Sequence, residues 1–253
     1  MAVANRVAVV ILAAGLGTRM KSGKAKVLHT ILGKPMVLYV VESARELAGD
    51  DIIVVVGNQA EQVRRVIRQA APCRFAYQQR QLGTGHAVLC ALPQIPAHCE
   101  DVLILCGDVP LVRAQTLGRL LDEHHAACRD LTVLAVNLDN PSGYGRILLN
   151  DHHRICGIVE EADASDVQKQ IKLINTGIYC VKKGLLALAL AQVKPDNCQG
   201  ELYLTDIVEI VHNQGLRTGV FIGPDEQEFH GVNNLQDLAT VELLMLRRGG
   251  INS

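Results

Sequence analysis

The chain has 253 residues, 49% hydrophobic and 20% charged, with a formal net charge of −1. A length of this order buries about 70–75% of the extended-chain surface, enough for one α/β domain or two small ones. The near-neutral balance excludes a general attraction to nucleic acid or membrane, so any anion binding has to be local.

Val7 to Ala14, the longest strongly apolar stretch near the start, is too short to span a bilayer, and no basic cluster of a secretory signal precedes it. The eight cysteines form no Cys-x-x-Cys pair, and several sit in apolar runs where a reduced thiol packs as a small hydrophobe. The expectation is a cytoplasmic protein without disulfides or a cysteine-held metal.

Val7–Leu12 reads as a buried strand and runs straight into Ala13-Ala14-Gly15-Leu16-Gly17-Thr18-Arg19. Gly15 and Gly17 would let the backbone approach a ligand through conformations closed to residues with a Cβ, with successive N–H groups facing an anion. Arg19, Lys21, Lys24 and Lys26 add four cations within eight residues, and their expected counter-charge is a nucleotide's phosphate chain. The dinucleotide fingerprint does not fit, because the sixth residue of its frame is Met20. The P-loop fails on spacing, since five residues separate Gly17 from Gly23 and Ala25 follows Lys24. A solvated basic turn remains the plain alternative.

Pro35 suits the first turn of a helix running to about Leu47, with Met36, Val40, Val41, Ala44 and Leu47 on one face. Ile52–Val56 is a second apolar strand. Asn58 can cap the helix that follows, whose expected buried stripe is Val63, Val66, Ile67 and Ala70. The Gln-rich turn 78–85 offers amides and open N–H groups that match the edge of a base such as uracil, although a surface turn explains it equally well. Thr84 can cap a third helix. Val102–Cys106 and Leu131–Val136 complete a series that implies parallel strands with helices on both faces.

Asp108, in Gly107-Asp108-Val109-Pro110, stands just past a buried strand, where a carboxylate can hold magnesium bound to substrate phosphates. Read alone it also fits a turn aspartate. The loops at 13–26, 78–86 and 107–110 all follow strands, at the end where open α/β sheets bind ligands.

The second half is denser in short strands: Arg146–Leu149, Arg154–Val159, Leu173–Val181 and Arg217–Ile222. They are expected to extend the sheet into a second lobe. Helices are expected at Gly184–Ala191, Thr205–His212 and Leu235–Leu246, with Gly249-Gly250 ending the last. The pairs His124-His125 and His152-His153 read as solvated surface, because neither has the i, i+4 spacing of a helical metal site. No nucleophile elbow or Cys/His catalytic spacing appears, so covalent catalysis lacks support.

Leu-Ala-Ala-Gly-x-Gly-Thr-Arg-Met at 12–20, Lys-Val-Leu-His at 26–29, Gln-Leu-Gly-Thr-Gly-His-Ala at 81–87 and Gly-Asp-Val-Pro-Leu at 107–111 are followed by four further segments. These are Gly-Tyr-Gly-Arg-Ile at 143–147, Gly-Ile-Val-Glu at 157–160, Ile-Asn-Thr-Gly at 174–177 and Gly-Val-Asn-Asn at 231–234. In this order they resemble the sugar nucleotidyltransferase family, and within it the N-terminal uridylyltransferase half of the bacterial bifunctional uridylyltransferase/acetyltransferases, over nearly the whole chain.

The resemblance implies an α/β fold with a Rossmann-like, mostly parallel mixed sheet flanked by helices. It implies one nucleotidyltransferase domain: a nucleotide lobe over about 1–110, a sugar lobe over about 111–233 and a C-terminal helix over 234–253. The acetyltransferase half and its β-helix are not expected. Leu12, Ala13, Ala14, Gly15, Gly17, Gln78, Gln81, Gly83 and Thr84 would hold the uridine nucleotide, and Arg19 and Lys26 would neutralise its phosphates as the catalytic cations. Asp108 and Asn233 would bind Mg2+; Gly145, Glu160 and Asn175 would hold the amino sugar and its phosphate, with Glu201 and Tyr203 beside them.

The implied reaction joins UTP to N-acetylglucosamine 1-phosphate, with no nucleic-acid or membrane partner. Its alternatives are another pair, such as glucose 1-phosphate with UTP or dTTP, or a non-catalytic nucleotide-sugar-binding protein. Two departures bear on the site. Ala25 replaces the family's proline, predicting a looser loop and a less well placed Lys26, and Cys106 replaces a tyrosine on the sugar side.

Overall fold

The computed structural model of the chain describes residues 6–250; the last three residues assigned above to the C-terminal helix lie outside them. In chain order the elements begin with β1 (Val7–Ala13), β2 (Thr30–Ile31), β3 (Lys34–Pro35), α1 (Met36–Ala48), β4 (Ile52–Val56), α2 (Ala60–Ala70), β5 (Arg74–Tyr77), α3 (Thr84–Ala91) and β6 (Asp101–Cys106). They continue with α4 (Ala114–Ala126), β7 (Leu131–Asn137), β8 (Arg146–Leu149), β9 (Ile155–Val159), α5 (Asp166–Lys169), β10 (Leu173–Lys182), α6 (Lys183–Leu190), α7 (Asp206–Asn213), β11 (Thr218–Ile222) and α8 (Leu235–Gly250).

Among the described residues, nine strands form one sheet in the order β11-β7-β10-β6-β1-β4-β5, with the β8–β9 hairpin attached through β10. β1 runs parallel to β4 and β6, β4 to β5, and β11 to β7, while β10 lies antiparallel between β6 and β7. The result is the expected mostly parallel mixed sheet.

The central strands are apolar throughout because both faces are covered. Val7, Val9, Ile11 and Ala13 of β1 pack with α1, α2 and α4 on one side, and Ala8 and Val10 with α3, α6 and α7 on the other. This is the period of two that alternating Cβ directions impose. A smaller cluster of Met20, Ile31, Met36, Leu111, Val232 and Val241 joins α8 to the β2–β3 ribbon and the start of α1.

Several local expectations are corrected. Pro35 sits one place before α1, because its backbone stays extended to pair with Thr30. Asn58 does not cap α2; that helix starts after Gln59, which takes a left-handed φ of 51°. Val63 and Ile67 are fully buried, but Val66 is half-buried and Ala70 exposed, since α2 covers the sheet near its outermost strand. Thr84 is the first residue of α3 rather than its cap, and its hydroxyl accepts from the Leu204 N–H at 3.0 Å. α8 runs through Gly249-Gly250 instead of stopping before it.

His124 is buried on α4, bonded through Nδ1 to Thr132 Oγ1 at 2.8 Å, so the solvated reading of the His124-His125 pair fails for its first member. β2, β3, β5 and α5 were not foreseen, each having only two to four residues; α4 fills the helix expected between β6 and β7 and carries Gly118 mid-helix, with Leu47 of α1 3.7 Å from where a Cβ would stand.

Candidate active site

β1 and β6 end side by side, the Gly107 N–H donating to Leu12 O at 2.9 Å, and the loops that follow them meet. Gly17 has φ +64°, and a Cβ there would stand 2.7 Å from Lys26 Cβ, so both backbone and space demand glycine. Gly15 has neither constraint: its φ is ordinary and a Cβ would meet nothing within 4 Å, which corrects its expected conformational role. What remains for Gly15 is open space beside the loop.

The far end of the loop is clamped by Gln59, whose Nε2 donates to Gly23 O and whose Oε1 accepts from the Ala25 N–H at 3.1 Å. Proline has no N–H to give. Ala25 therefore supplies a tether that the family's proline cannot, and the expected loosening is offset.

Lys26 Nζ forms an ion pair with the Asp108 carboxylate and lies 3.2 Å from Asn233 Oδ1, which also accepts from Arg19 Nη2 at 2.9 Å. Lys21 and Lys24 are exposed. Asn233 is fixed in turn: its N–H donates to Asp237 Oδ2 at 2.8 Å, and the neighbouring Val232 N–H donates to Asp108 O at 2.9 Å. Asp108 and Asn233 thus offer a carboxylate and an amide oxygen to one point of positive charge. Hard oxygen donors in this number suit magnesium, which keeps several waters and shares substrate phosphates.

On the other side of β1, Gln78 is buried at the end of β5, its N–H donating to Val56 O at 2.8 Å and its Nε2 to Gly83 O at 3.0 Å. Gln81 Nε2 donates to Gln78 O at 3.4 Å. Gly83 has φ +107°, and a Cβ there would lie 2.5 Å from Leu202 O, so the turn before α3 is held tightly against the segment leading to α7. Gly57, which the sequence did not single out, belongs here too: its Cβ would collide with Gln81 Nε2 at 2.7 Å and Ala14 O at 2.9 Å.

The sugar-lobe candidates also converge. The ladder between β10 and β7 breaks between Asn175 and Ile178, a bulge that re-aims the strand where Gly177 takes φ +78°. Asn175 N–H donates to Gly145 O at 2.9 Å, Asn175 Oδ1 accepts from the Gly177 N–H at 2.9 Å, and Nδ2 donates to Tyr179 OH at 2.7 Å. A Cβ on Gly145 would lie 3.2 Å from Glu160 Oε2.

Burial pushes the Glu160 carboxyl up, and the charges of Asp206 and Asp163 add to it. The Thr205 hydroxyl opposes that rise, although it is buried and makes no hydrogen bond of ordinary length. Tyr203 is buried near Glu160 and Glu201, and its phenol is raised, first by burial and then by Asp163. The Cys106 thiol is pushed up to about 12, mainly by burial, and it donates to Gly177 O at 3.6 Å. Thr205 and Asp206 follow the Gly-Glu-Leu-Tyr-Leu segment directly, the only sequence signal that could have found them.

Two other clusters occupy the opposite end of the strands. Asp51, His98 and Cys99 are close enough to share an ion. However, Asp51 already accepts from Arg74 at 3.0 Å through Oδ1 and faces His98 at 2.7 Å through Oδ2, and the guanidinium opposes a dication. A cavity of about 780 Å³ is lined by Asp101, His124, His125, Lys182 and Arg217 among others. Its polar side chains already have partners, His125 with Asp101 and both Lys182 and Arg217 with Asp130 at its edge.

The profile of the MobA-like NTP transferase domain family matches residues 9–170. The Desulfotalea psychrophila protein named bifunctional protein GlmU is 44% identical over 245 residues, covering 96% of this chain and 72% of the relative. The Geotalea uraniireducens protein of the same name is 46% identical over 248 residues, 98% of this chain and 54% of the relative. The chain spans about half the length of most curated relatives it matches. A Bacillus anthracis crystal structure described as a glucose-1-phosphate thymidylyltransferase with bound sucrose superposes with a TM-score of 0.73 at 18% identity, covering 94% of each chain, which shows the shared fold. With the glycine–cation loop, Asp108 and the mixed sheet in place, this chain belongs to the MobA-like NTP transferase domain family and is a nucleotidyltransferase.

Proposed function

We propose that the protein transfers UMP from UTP to N-acetylglucosamine 1-phosphate, giving UDP-N-acetylglucosamine and pyrophosphate. The observation that carries this reading is the convergence of Lys26, Arg19, Asp108 and Asn233 at one point between the base-side glutamines and the Gly145–Glu160–Asn175 cluster. A sugar-phosphate oxygen attacks the α-phosphorus, and the bond to the β-phosphate oxygen breaks opposite it, so no protein nucleophile is required. Lys26 and Arg19 offset the mutual repulsion of two anions and hold them in line. Magnesium held by Asp108 and Asn233 would supply further charge neutralisation on the triphosphate.

Glu160 in its ionised form accepts from sugar hydroxyls, and Asn175, fixed by Gly177 and Tyr179, borders the same cluster. The eight cysteines are free thiols, which suits a cytoplasmic site of action and a product drawn on for cell-wall synthesis. Among the described residues no helix is long and apolar enough to cross a membrane.

Pyrophosphate release across a panel of sugar 1-phosphates and nucleoside triphosphates tests the proposal. The largest kcat/KM is expected for N-acetylglucosamine 1-phosphate with UTP. A preference for glucose 1-phosphate would replace the sugar assignment, and tight binding of UDP-sugar without pyrophosphate release would replace catalysis.

A further inference from the structure

The Gln78 amide is held from two directions. Nε2 lies 3.0 Å from Gly83 O and 3.0 Å from His86 Nδ1, and the Gln78 side chain is only 3% exposed. A backbone carbonyl can only accept, so the amide corner beside Gly83 has to be the nitrogen. That nitrogen, as donor, needs a lone pair on His86 Nδ1. The His86 proton therefore sits on Nε2, the ring atom that faces Cys90 Sγ at 3.9 Å. The opposite amide orientation would set Oε1 against the Gly83 carbonyl, a lost bond and a repulsion in a buried place that no change of His86 tautomer could relieve.

Both Nε2 hydrogens are thereby committed, and Gln78 can present only Oε1, an acceptor, to a base. Uracil and thymine carry N–H at ring position 3 and satisfy an acceptor, whereas cytosine carries a lone pair there and opposes one. We propose that His86 is a positioning residue that locks the Gln78 amide oxygen-outward and so makes the base site select a uracil-type ring over cytosine. This rests on the base-site reading given under Proposed function. His86 acts through Gln78 and need not touch the nucleotide.

The test measures kcat and KM for UTP and CTP by pyrophosphate release, together with direct binding of both nucleotides, in the unmodified protein, His86→Leu and His86→Asn. Leucine fits the helix but removes the acceptor; asparagine places Oδ1 near the Nδ1 position. In His86→Leu the UTP-over-CTP ratio is expected to fall roughly tenfold, the worth of about one net hydrogen bond. The fall should come through a higher KM for UTP with kcat nearly kept, because a base contact binds ground and transition states alike. His86→Asn should restore the ratio.

An unchanged ratio in a His86→Leu protein that still uses UTP overturns the inference and leaves the transfer reaction standing. An equal drop in kcat for both nucleotides also overturns it, by showing a general disturbance of α3. An unmodified protein that accepts UTP and CTP equally refutes the selectivity, and one that turns over neither refutes the functional reading and this inference with it.

Discussion

Lys26 Nζ faces two protein oxygens, the Asp108 carboxylate and Asn233 Oδ1 at 3.2 Å, so its position is set before any phosphate arrives. Lys26→Ala is expected to lower kcat roughly 10²-fold or more, equivalent to about 2.7 kcal/mol, while circular dichroism shows an unchanged fold. Gly17→Ala reaches the same lysine indirectly, since the new Cβ would stand 2.7 Å from Lys26 Cβ at a φ of +64°. Glu160 is expected to set a pH limit on sugar-phosphate binding. Its carboxyl is raised by burial, then by Asp206 and Asp163, with Thr205 opposing. Thr205→Val removes the opposing group and raises Glu160 further, so KM for the sugar phosphate should begin to climb at a higher pH on acidification. A KM–pH profile decides this; an acid limb at the same pH would show that Glu160 is not the group being protonated. Glu160 was visible in the sequence at a strand end, but its environment was not, because Thr205 and Asp206 reach it only through the packing of α7 against β9.

α2 shows what periodicity can and cannot tell. The 3.6-residue spacing of Val63 and Ile67 identifies a helix with a buried side, and both residues are fully buried. The width of that side depends on how much sheet lies beneath it, which is why Ala70 faces solvent. Ile67→Ala should cost about 2–5 kcal/mol in urea unfolding, the range for emptying a packed aliphatic site. The residue before the same helix, Gln59, serves the glycine–cation loop instead of the core, tethering Gly23 and Ala25. Gln59→Ala is expected to raise KM for UTP roughly tenfold, from two bonds worth about 1 kcal/mol each partly replaced by water. An unchanged KM would mean the loop is ordered by the ligand alone.

Across the whole molecule, the sheet carries the proposed nucleotide and sugar clusters on one continuous set of strands, and α8 closes over the loop that bears Asn233. Val241 of α8 is fully buried with Met20 and Met36, and Leu32 N–H donates to Glu242 at 2.8 Å, so the helix braces the glycine–cation loop from behind. Asp206 introduces a pH-dependent strain into this body. Burial first, then Glu209 and Asp163, push its carboxyl from 3.8 to about 6. A raised carboxyl favours the native state when protonated, so stability falls as pH rises from about 4 to about 6 and levels off above. Asp206→Asn should therefore stabilise the protein at pH 8 by about 1 kcal/mol after allowing for its partial exposure, and the gain should shrink towards pH 4. Urea unfolding at the two pH values measures it.

The longer strands and helices in their order, the glycine–cation loop and Asp108 past the β6 strand were determined by the sequence alone. Each rests on a local rule: side-chain periods of two and 3.6, turn chemistry, and charge within a few residues. The meeting of Lys26 with Asn233, 207 residues away, was decided only by the tertiary structure, as were the Ala25 tether to Gln59 and the Gln78–Gly83–His86 arrangement. Such contacts depend on which strands become neighbours and on how a helix or loop crosses their ends, quantities that no window of consecutive residues contains.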